Sequence, residues 1–353
     1  MKRVCHVAIV TLLAAEAFVI GQGSDATKIL ADARAAMGGD KLAAVTSLVA
    51  TGRVVKFTTG AATDASDFEM AMEAPDKYFK KDVIAVIGDN TISRTSGFNG
   101  DGLIEAIDTP PGMFGGAGTG RMMIRSSDGA TSFGNMGAPA SPEAAAESRK
   151  ASVLSNKQDF ARIALGLFAA SFSGYPLEFS LDTAAAPADG KSIVIAVKGE
   201  GDFAAKLFVD RDSHLPAMLT WMAKEPAVRN TAARGVAAGP GGTTVTSGGA
   251  TMITGGGTFV SGGGQTAVQG GQAMTPEERA QMMKDLDAQM KAADARRRIV
   301  EYQMAYGDYK AVNGVRMPTR FRRTIDGKPI DEVVLEKITL NPKIDPRKFD
   351  VVK

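Results

Sequence analysis

Several stretches of this chain repeat apolar residues with a period of two. Phe68, Met70 and Met72 alternate with Glu69 and Ala71. The same spacing returns at Ile193, Ile195 and Val197, and again at Ala205, Leu207 and Val209. Leu215, Ala217, Leu219 and Trp221 continue it, and Val300, Tyr302, Met304 and Tyr306 close the series. A period of two places every second side chain on one face of a strand, so each stretch predicts a strand with one face buried. Turn signals stand near these runs. Asn99-Gly100-Asp101-Gly102 predicts the turn of a hairpin over Ile92–Ile107, and Asp326-Gly327 predicts another. Leu48–Thr58 adds a stretch rich in β-branched residues. The expectation is one antiparallel sheet, apolar on the inward face of nearly every strand and carrying Lys, Arg, Glu and Asp outward.

Helices are predicted before and within this sheet. Ile29, Leu30, Ala33, Ala36 and Met37 recur at helical spacing in Ser24–Val45, and Gly38-Gly39 is a stop signal with Asp40 opening a second short turn. Ser141-Pro142-Glu143 reads as a helix start. A stronger helix is predicted over Asn156–Phe172, with Phe160, Ile163, Ala164, Leu167 and Phe168 on one side. Pro110–Gly120 is dense in glycine and reads as a loop.

The N-terminus predicts export. Lys2 and Arg3 precede an apolar run from Val7 to Ile20, broken by Thr11 and Glu16, and small residues follow at Gly21 and Gly23. That order is the pattern of a signal peptide cut near Gly21–Gly23, and the run is too short for a comfortable membrane span. Cleavage removes Cys5 and His6, leaving no cysteine and one histidine, His214. Stability must then come from core burial and not from disulfides. Removing Lys2, Arg3 and Glu16 lowers the formal net charge from +2 to +1, which predicts no general attraction to nucleic acid. Cys5 precedes the apolar run instead of ending it, so a soluble periplasmic or secreted protein is expected, with no transmembrane segment in the mature chain.

Residues 227–297 interrupt the strand pattern. Within them 235–271 is a glycine-rich tract of loosely repeated β-prone pieces, beginning Thr243–Gly249 and Ala250–Gly257. Glycine at this density raises the entropic cost of ordering the backbone, so a flexible insertion is expected. Thr275-Pro276-Glu277-Glu278 then opens an amphipathic helix over 275–297, with Met282, Met283, Leu286 and Met290 as its stripe.

Four segments carry a family resemblance. "ILADARAAMGGDKLAAVTSLVATGRV", "APDKYFKK", "LFVDRDSHLPAMLTW" and "YGDYKAVNGVRMPTRF" look like the periplasmic lipoprotein-carrier (LolA/LolB-like) superfamily. The resemblance spans 24–226 and 298–353. It implies an α+β fold in which an incomplete antiparallel β-barrel, a half-barrel, wraps around helices and encloses an apolar cavity. The domain reading is a signal peptide over 1–23, a half-barrel over 24–226 and 298–353, and an insertion over 227–297.

The candidate ligand-binding residues are those of the inward apolar face: Phe68, Met70, Met72, Leu207, Val209, Leu219, Trp221, Tyr302, Met304 and Tyr306. A cleft lined by them would suit acyl chains, since each buried methylene contributes about 0.8 kcal/mol. The same residues would serve a filled core equally, because alternation does not separate a cleft from packing. The methionine stripe has three readings: a lid over the cleft, ordinary docking on the sheet, or a partner-binding helix. His214 sits in a predicted turn beside Asp210 and Asp212, too few groups for a metal site. Gly116, Gly118 and Gly120 lack the Gly-Lys-Ser/Thr of a phosphate loop. Arg296-Arg297-Arg298 and Arg320, Arg322, Arg323 are basic clusters, and alternation puts Arg320 and Arg322 on the outer face. No Gly-x-Ser-x-Gly or His-Glu-x-x-His signature is present. No catalytic residue, metal or cofactor is therefore predicted. The expected function is binding of lipid or a lipidated protein. The alternative is an envelope interaction or sensor module, with the insertion recruiting a protein partner.

Overall fold

The computed structural model describes residues 17–58, 60–87, 90–108, 142–184, 190–226, 243–247, 250–254, 277, 281, 284, 285, 288, 292 and 294–351. The start of the predicted signal segment, the Pro110–Gly120 loop, residues 255–271 and the stripe of Met282, Met283, Leu286 and Met290 lie outside them.

Helix α1 (Ala17–Met37) runs through the predicted cleavage point and stops at Gly38-Gly39, followed by α2 (Asp40–Ala43). Strands β1 (Ser47–Thr58), β2 (Ala61–Ala62), β3 (Ser66–Glu73), β4 (Lys77–Ile87), β5 (Asn90–Asn99) and β6 (Gly102–Asp108) follow. Then come α3 (Pro142–Phe168) and strands β7 (Glu178–Leu181), β8 (Ser192–Gly199), β9 (Phe203–Asp210) and β10 (Pro216–Lys224). Strands β11 (Thr243–Ser247) and β12 (Ala250–Thr254) pair only with each other. The chain ends with β13 (Ile299–Gly307), β14 (Lys310–Val312), β15 (Val315–Met317), β16 (Arg320–Ile325), β17 (Lys328–Leu340) and a 3-10 turn, Pro346–Phe349.

One large sheet has the order β6-β5-β4-β3-β1-β17-β16-β13-β10-β9-β8-β7, with β2 beside β1, and all its pairings are antiparallel. Consecutive hairpins build each wing, and β17 joins the wings by pairing with β1. β6 and β7 remain as edges, so the sheet is open, and α1 packs along β7.

The sheet must curl around α3. Phe160 stacks on Tyr78 of β4 at 4.3 Å between ring centroids, and the Arg162 guanidinium lies 4.7 Å from the Trp221 ring of β10. Those two helix residues are neighbours but one. Strands β4 and β10 are six sheet positions apart, about 29 Å across a flat sheet at ~4.8 Å per strand. Only a wrapped sheet brings both strands to the same turn of one helix. A bulge at Thr51/Gly52 helps the bend, and Gly52 is required there: a Cβ would sit 1.9 Å from the Val334 carbonyl oxygen. The architecture is the half-barrel around helices that the family resemblance implies.

Helix α3 divides into two halves. Its start, Pro142–Ala151, is mostly exposed and rich in strong helix formers. Its second half buries Val153, Phe160, Ala161, Ala164, Leu165 and Leu167 in the main apolar cluster. The single helix merges the two starts expected at 141 and 156. On the convex face, Phe349 and Ile344 cover Phe79, Ala71 and Ile104 as a small second core.

One strand is an exception to the apolar inward face. The inward face is not uniformly apolar. In β4, Lys80 stands opposite buried Met70 and Asp82 opposite buried Phe68, so both charged side chains share the inner face. They are tolerated there because Lys80 reaches Asp159 of α3 at 3.9 Å and Asp82 reaches Lys56 of β1 at 3.7 Å.

Candidate functional site

A groove of about 550 Å³ opens where α1 and α2 approach α3. Its apolar walls come from Ala31, Ala35, Leu42 and Val45 of the N-terminal helices and the turn after them. Phe160, Ala164, Phe168 and Phe172 supply the opposite wall, and Met72 of β3 supplies the end. Four charged residues also line it: Arg34, Asp40, Glu73 and Lys77. Arg34 donates to the Ala169 carbonyl oxygen at 3.1 Å, tying α1 to the end of α3, and Lys77 pairs with Glu73 at 2.6 Å. A mostly apolar lining with a few polar groups is the usual make-up of a small-molecule site.

The ten residues singled out by alternation all join one apolar cluster. Phe68, Met70, Met72, Leu207, Val209, Leu219, Trp221, Met304 and Tyr306 are buried, and Tyr302 is partly buried against them. Trp221 and Tyr302 stack at 5.3 Å. Met72 alone among the ten lines the groove. Most of the other lining residues come from helices and turns, where a period-two search does not look. The helical signal that could have found them is the Phe160, Ala164, Phe168 side of α3.

A second groove, about 490 Å³, lies between α1 and β7–β8. It is lined by Asp25, Asp32 and Asp182 together with Lys28 and Arg211, and its mixed charge is unsuited to an acyl chain.

The inner wall beyond the groove is charged. Arg323 holds Asp331 through Nε at 2.8 and 3.0 Å. Arg162 pairs with Asp159 at 2.9 Å while its guanidinium lies over the rings of Phe203 and Trp221. Burial lowers the pKa of Arg162 and drives that of Tyr78 far above its ordinary value, with Asp159 and Asp82 adding to the latter. Burial also pushes the Glu105 carboxyl up to about 7, against an opposing pull from Arg94.

His214 is exposed in the β9–β10 turn, with a left-handed backbone at φ 57°. The turn is held by Asp210, which accepts from the Ser213 amide and hydroxyl, each at 2.7 Å. Among the described residues no three His, Cys, Asp or Glu side chains gather as a metal site would need. No helix among them is long and apolar enough to cross a membrane. Arg320 and Arg322 are exposed, on the outer face as alternation predicts.

Fold and site together define an open antiparallel half-barrel wrapped on helices, with an apolar groove at one end and a charged wall within. No protein-family model matches the chain, and no curated protein matches it. Solved structures similar to it include a DUF1329 family protein from Desulfovibrio piger, at 8% identity over 92% of this chain and 97% of that one, with a TM-score of 0.40. A LolA superfamily protein from Nitrosomonas europaea shares 7% identity over 92% and 97%, with a TM-score of 0.37. A domain from Vibrio parahaemolyticus assigned to outer-membrane lipoprotein sorting shares 7% over 93% and 97%, with a TM-score of 0.38.

Proposed function

We propose that this chain is an exported, non-enzymatic carrier that holds lipid or lipidated ligands by their acyl chains in the groove between α1, α2 and α3. The observation that carries the reading is the groove itself: about 550 Å³, lined mostly by apolar side chains. Ten methylenes placed there contribute about 8 kcal/mol before the cost of ordering the ligand is subtracted. In this reading Met72 touches the ligand. Phe68, Met70, Leu207, Val209, Leu219, Trp221, Tyr302, Met304 and Tyr306 form the packed wall that fixes the groove's shape. The leader ending near Gly21–Gly23 delivers the chain to the periplasm, where acylated cargo crosses an aqueous space and needs such shelter.

The test is titration with a fluorescent fatty-acyl probe. Ala35 lines the groove but is exposed, so Ala35→Trp fills the space without entering the core. Saturable probe binding by the wild type, weakened at least tenfold in the variant at unchanged melting temperature, supports the reading. No binding by the wild type, or equal binding by both, overturns it.

One observation favours an envelope interaction or sensor module instead. Met222 of β10 and Ile299 of β13 are 60% and 59% exposed on the outer face where residues 227–297 leave and rejoin the sheet. Apolar residues so exposed suit a protein partner, and loss of partner capture on their double replacement by serine would speak for that module.

A further inference from the structure

Beneath α3 the inner wall of the half-barrel carries polar atoms that nothing in the described protein satisfies. Tyr78 Oη, Ser96 Oγ, Asp82 Oδ1 and Arg162 Nε are buried and have no hydrogen-bond partner among the described residues. Tyr78 is 1% exposed and Ser96 5%. Buried polar atoms are almost always paired, and leaving one unpaired is costly. Four in one region call for a common partner.

The residues that carry them lie along one stretch of the inner wall. Ser96 stands opposite Lys80, and Lys80 is two residues from Tyr78 and Asp82 on the same face of β4. Asp159 of α3 bridges the two sides, pairing with Lys80 at 3.9 Å and with Arg162 at 2.9 Å. Asp159 and Arg323 both act electrostatically on Tyr78, and both act on Arg162.

The charge of this wall sets the ligand's sign. Lys56, Lys80, Arg94, Arg162 and Arg323 are its cations. Asp82, Asp159 and Asp331 are their acidic counterparts, and Glu105, opposite Ser96, is partly protonated near neutral pH. Positive charge is in excess. Three of the unsatisfied atoms carry hydrogens to donate, and Asp82 Oδ1 accepts. Asp82 and Arg162 keep some side-chain contact with solvent, while the unpaired atoms themselves are buried.

We propose that this wall is a second binding site, separate from the acyl groove, that takes a phosphate-type anion. Its oxygens accept from Tyr78, Ser96 and Arg162, and its hydroxyl donates to Asp82. The anion is either free phosphate or the phosphate of a lipid headgroup. The proposal stands on the charged wall and not on the acyl reading.

The experiment is calorimetric titration of the full mature chain with inorganic phosphate, with dioctanoyl phosphatidic acid and with dioctanoylglycerol, for wild type, Tyr78→Phe, Arg162→Lys and Ala35→Trp. Tyr78→Phe removes only an unsatisfied hydroxyl, so the empty protein keeps its melting temperature or gains slightly. Loss of one charge-assisted hydrogen bond weakens anion binding about tenfold. Binding of inorganic phosphate identifies a free anion. Binding of phosphatidic acid, without phosphate or dioctanoylglycerol, identifies a headgroup. Either result supports the site if Tyr78→Phe and Arg162→Lys weaken it. Phosphate binding unchanged in Ala35→Trp separates this site from the groove. No binding of either anion by the wild type overturns the proposal, as does binding that both variants leave intact.

Discussion

Gly166 of α3 lies flat against the ring of Tyr306 of β13: a Cβ on that glycine would stand 2.5 Å from both Cδ1 and Cε1. The ring cannot slide away, because Tyr306 Oη donates to the Arg162 carbonyl oxygen one turn earlier at 2.6 Å. The contact sets how closely the helix approaches the sheet. Glycine to alanine inside a helix ordinarily gains about 1 kcal/mol. Here the methyl group overpacks the interface, and Gly166→Ala costs about 1–3 kcal/mol instead. Urea unfolding monitored by circular dichroism checks this: the midpoint falls while the slope is unchanged. A raised midpoint would show that helix and sheet are free to separate.

The tail after β17 is structural. Phe349 is buried edge-on to Phe79 at 5.7 Å, and Asn99 donates to its carbonyl oxygen at 3.1 Å. Phe349→Ala removes a buried ring and costs about 3 kcal/mol. Lys348, paired with Glu69 at 2.6 Å on the surface, contributes less than about 1 kcal/mol, so Lys348→Ala barely moves the same unfolding curve.

Glu105 makes stability fall with rising pH. Its carboxyl is held near 7 in the folded chain by burial and returns to about 4.3 when unfolded. The folded state therefore binds the proton more tightly. This contribution is complete below the unfolded value and is lost as pH climbs through about 7. Glu105→Gln should shrink the drop in melting temperature between pH 5 and pH 8, with little change at pH 5. An equal drop in both proteins would remove Glu105 as the cause.

Deleting residues 235–271 should leave the half-barrel nearly as stable as before. The strands on either side keep their own partners. Lys224 stands opposite Ile299, the Glu225 amide donates to the Arg298 carbonyl oxygen at 2.7 Å, and Arg298 grips the Glu225 carboxylate through two bonds of 3.1 Å. Shortening a loop changes closure entropy by only about 0.6 kcal/mol per halving. A melting temperature within a degree or two of the full chain is expected, and a fall of ten degrees would make that tract part of the core.

The strands were legible because the period-two pattern survives any tertiary context. Phe68, Met70 and Met72 lie buried on one face of β3, and Asn99–Gly102 is the turn between β5 and β6. The short β14–β15 hairpin was not separated from its neighbours, although Asn313-Gly314 carries its turn with both residues at positive φ. Alternation says which residues share a face, not which face turns inward. Nothing in the spacing of Tyr78, Lys80 and Asp82 marks them as inward, and it is α3 that brings Asp159 to Lys80. The groove was hidden for a related reason. Its walls come mostly from helices and turns, and their meeting depends on how α1, α2 and α3 pack across the curled sheet.

Native mass spectrometry of the chain purified without added lipid tests the carrier reading most directly. The account predicts extra mass that disperses as acyl-containing lipid on collisional activation and is absent from Ala35→Trp. Bare protein, unchanged after incubation with lipid vesicles or with an acylated lipopeptide, would contradict it.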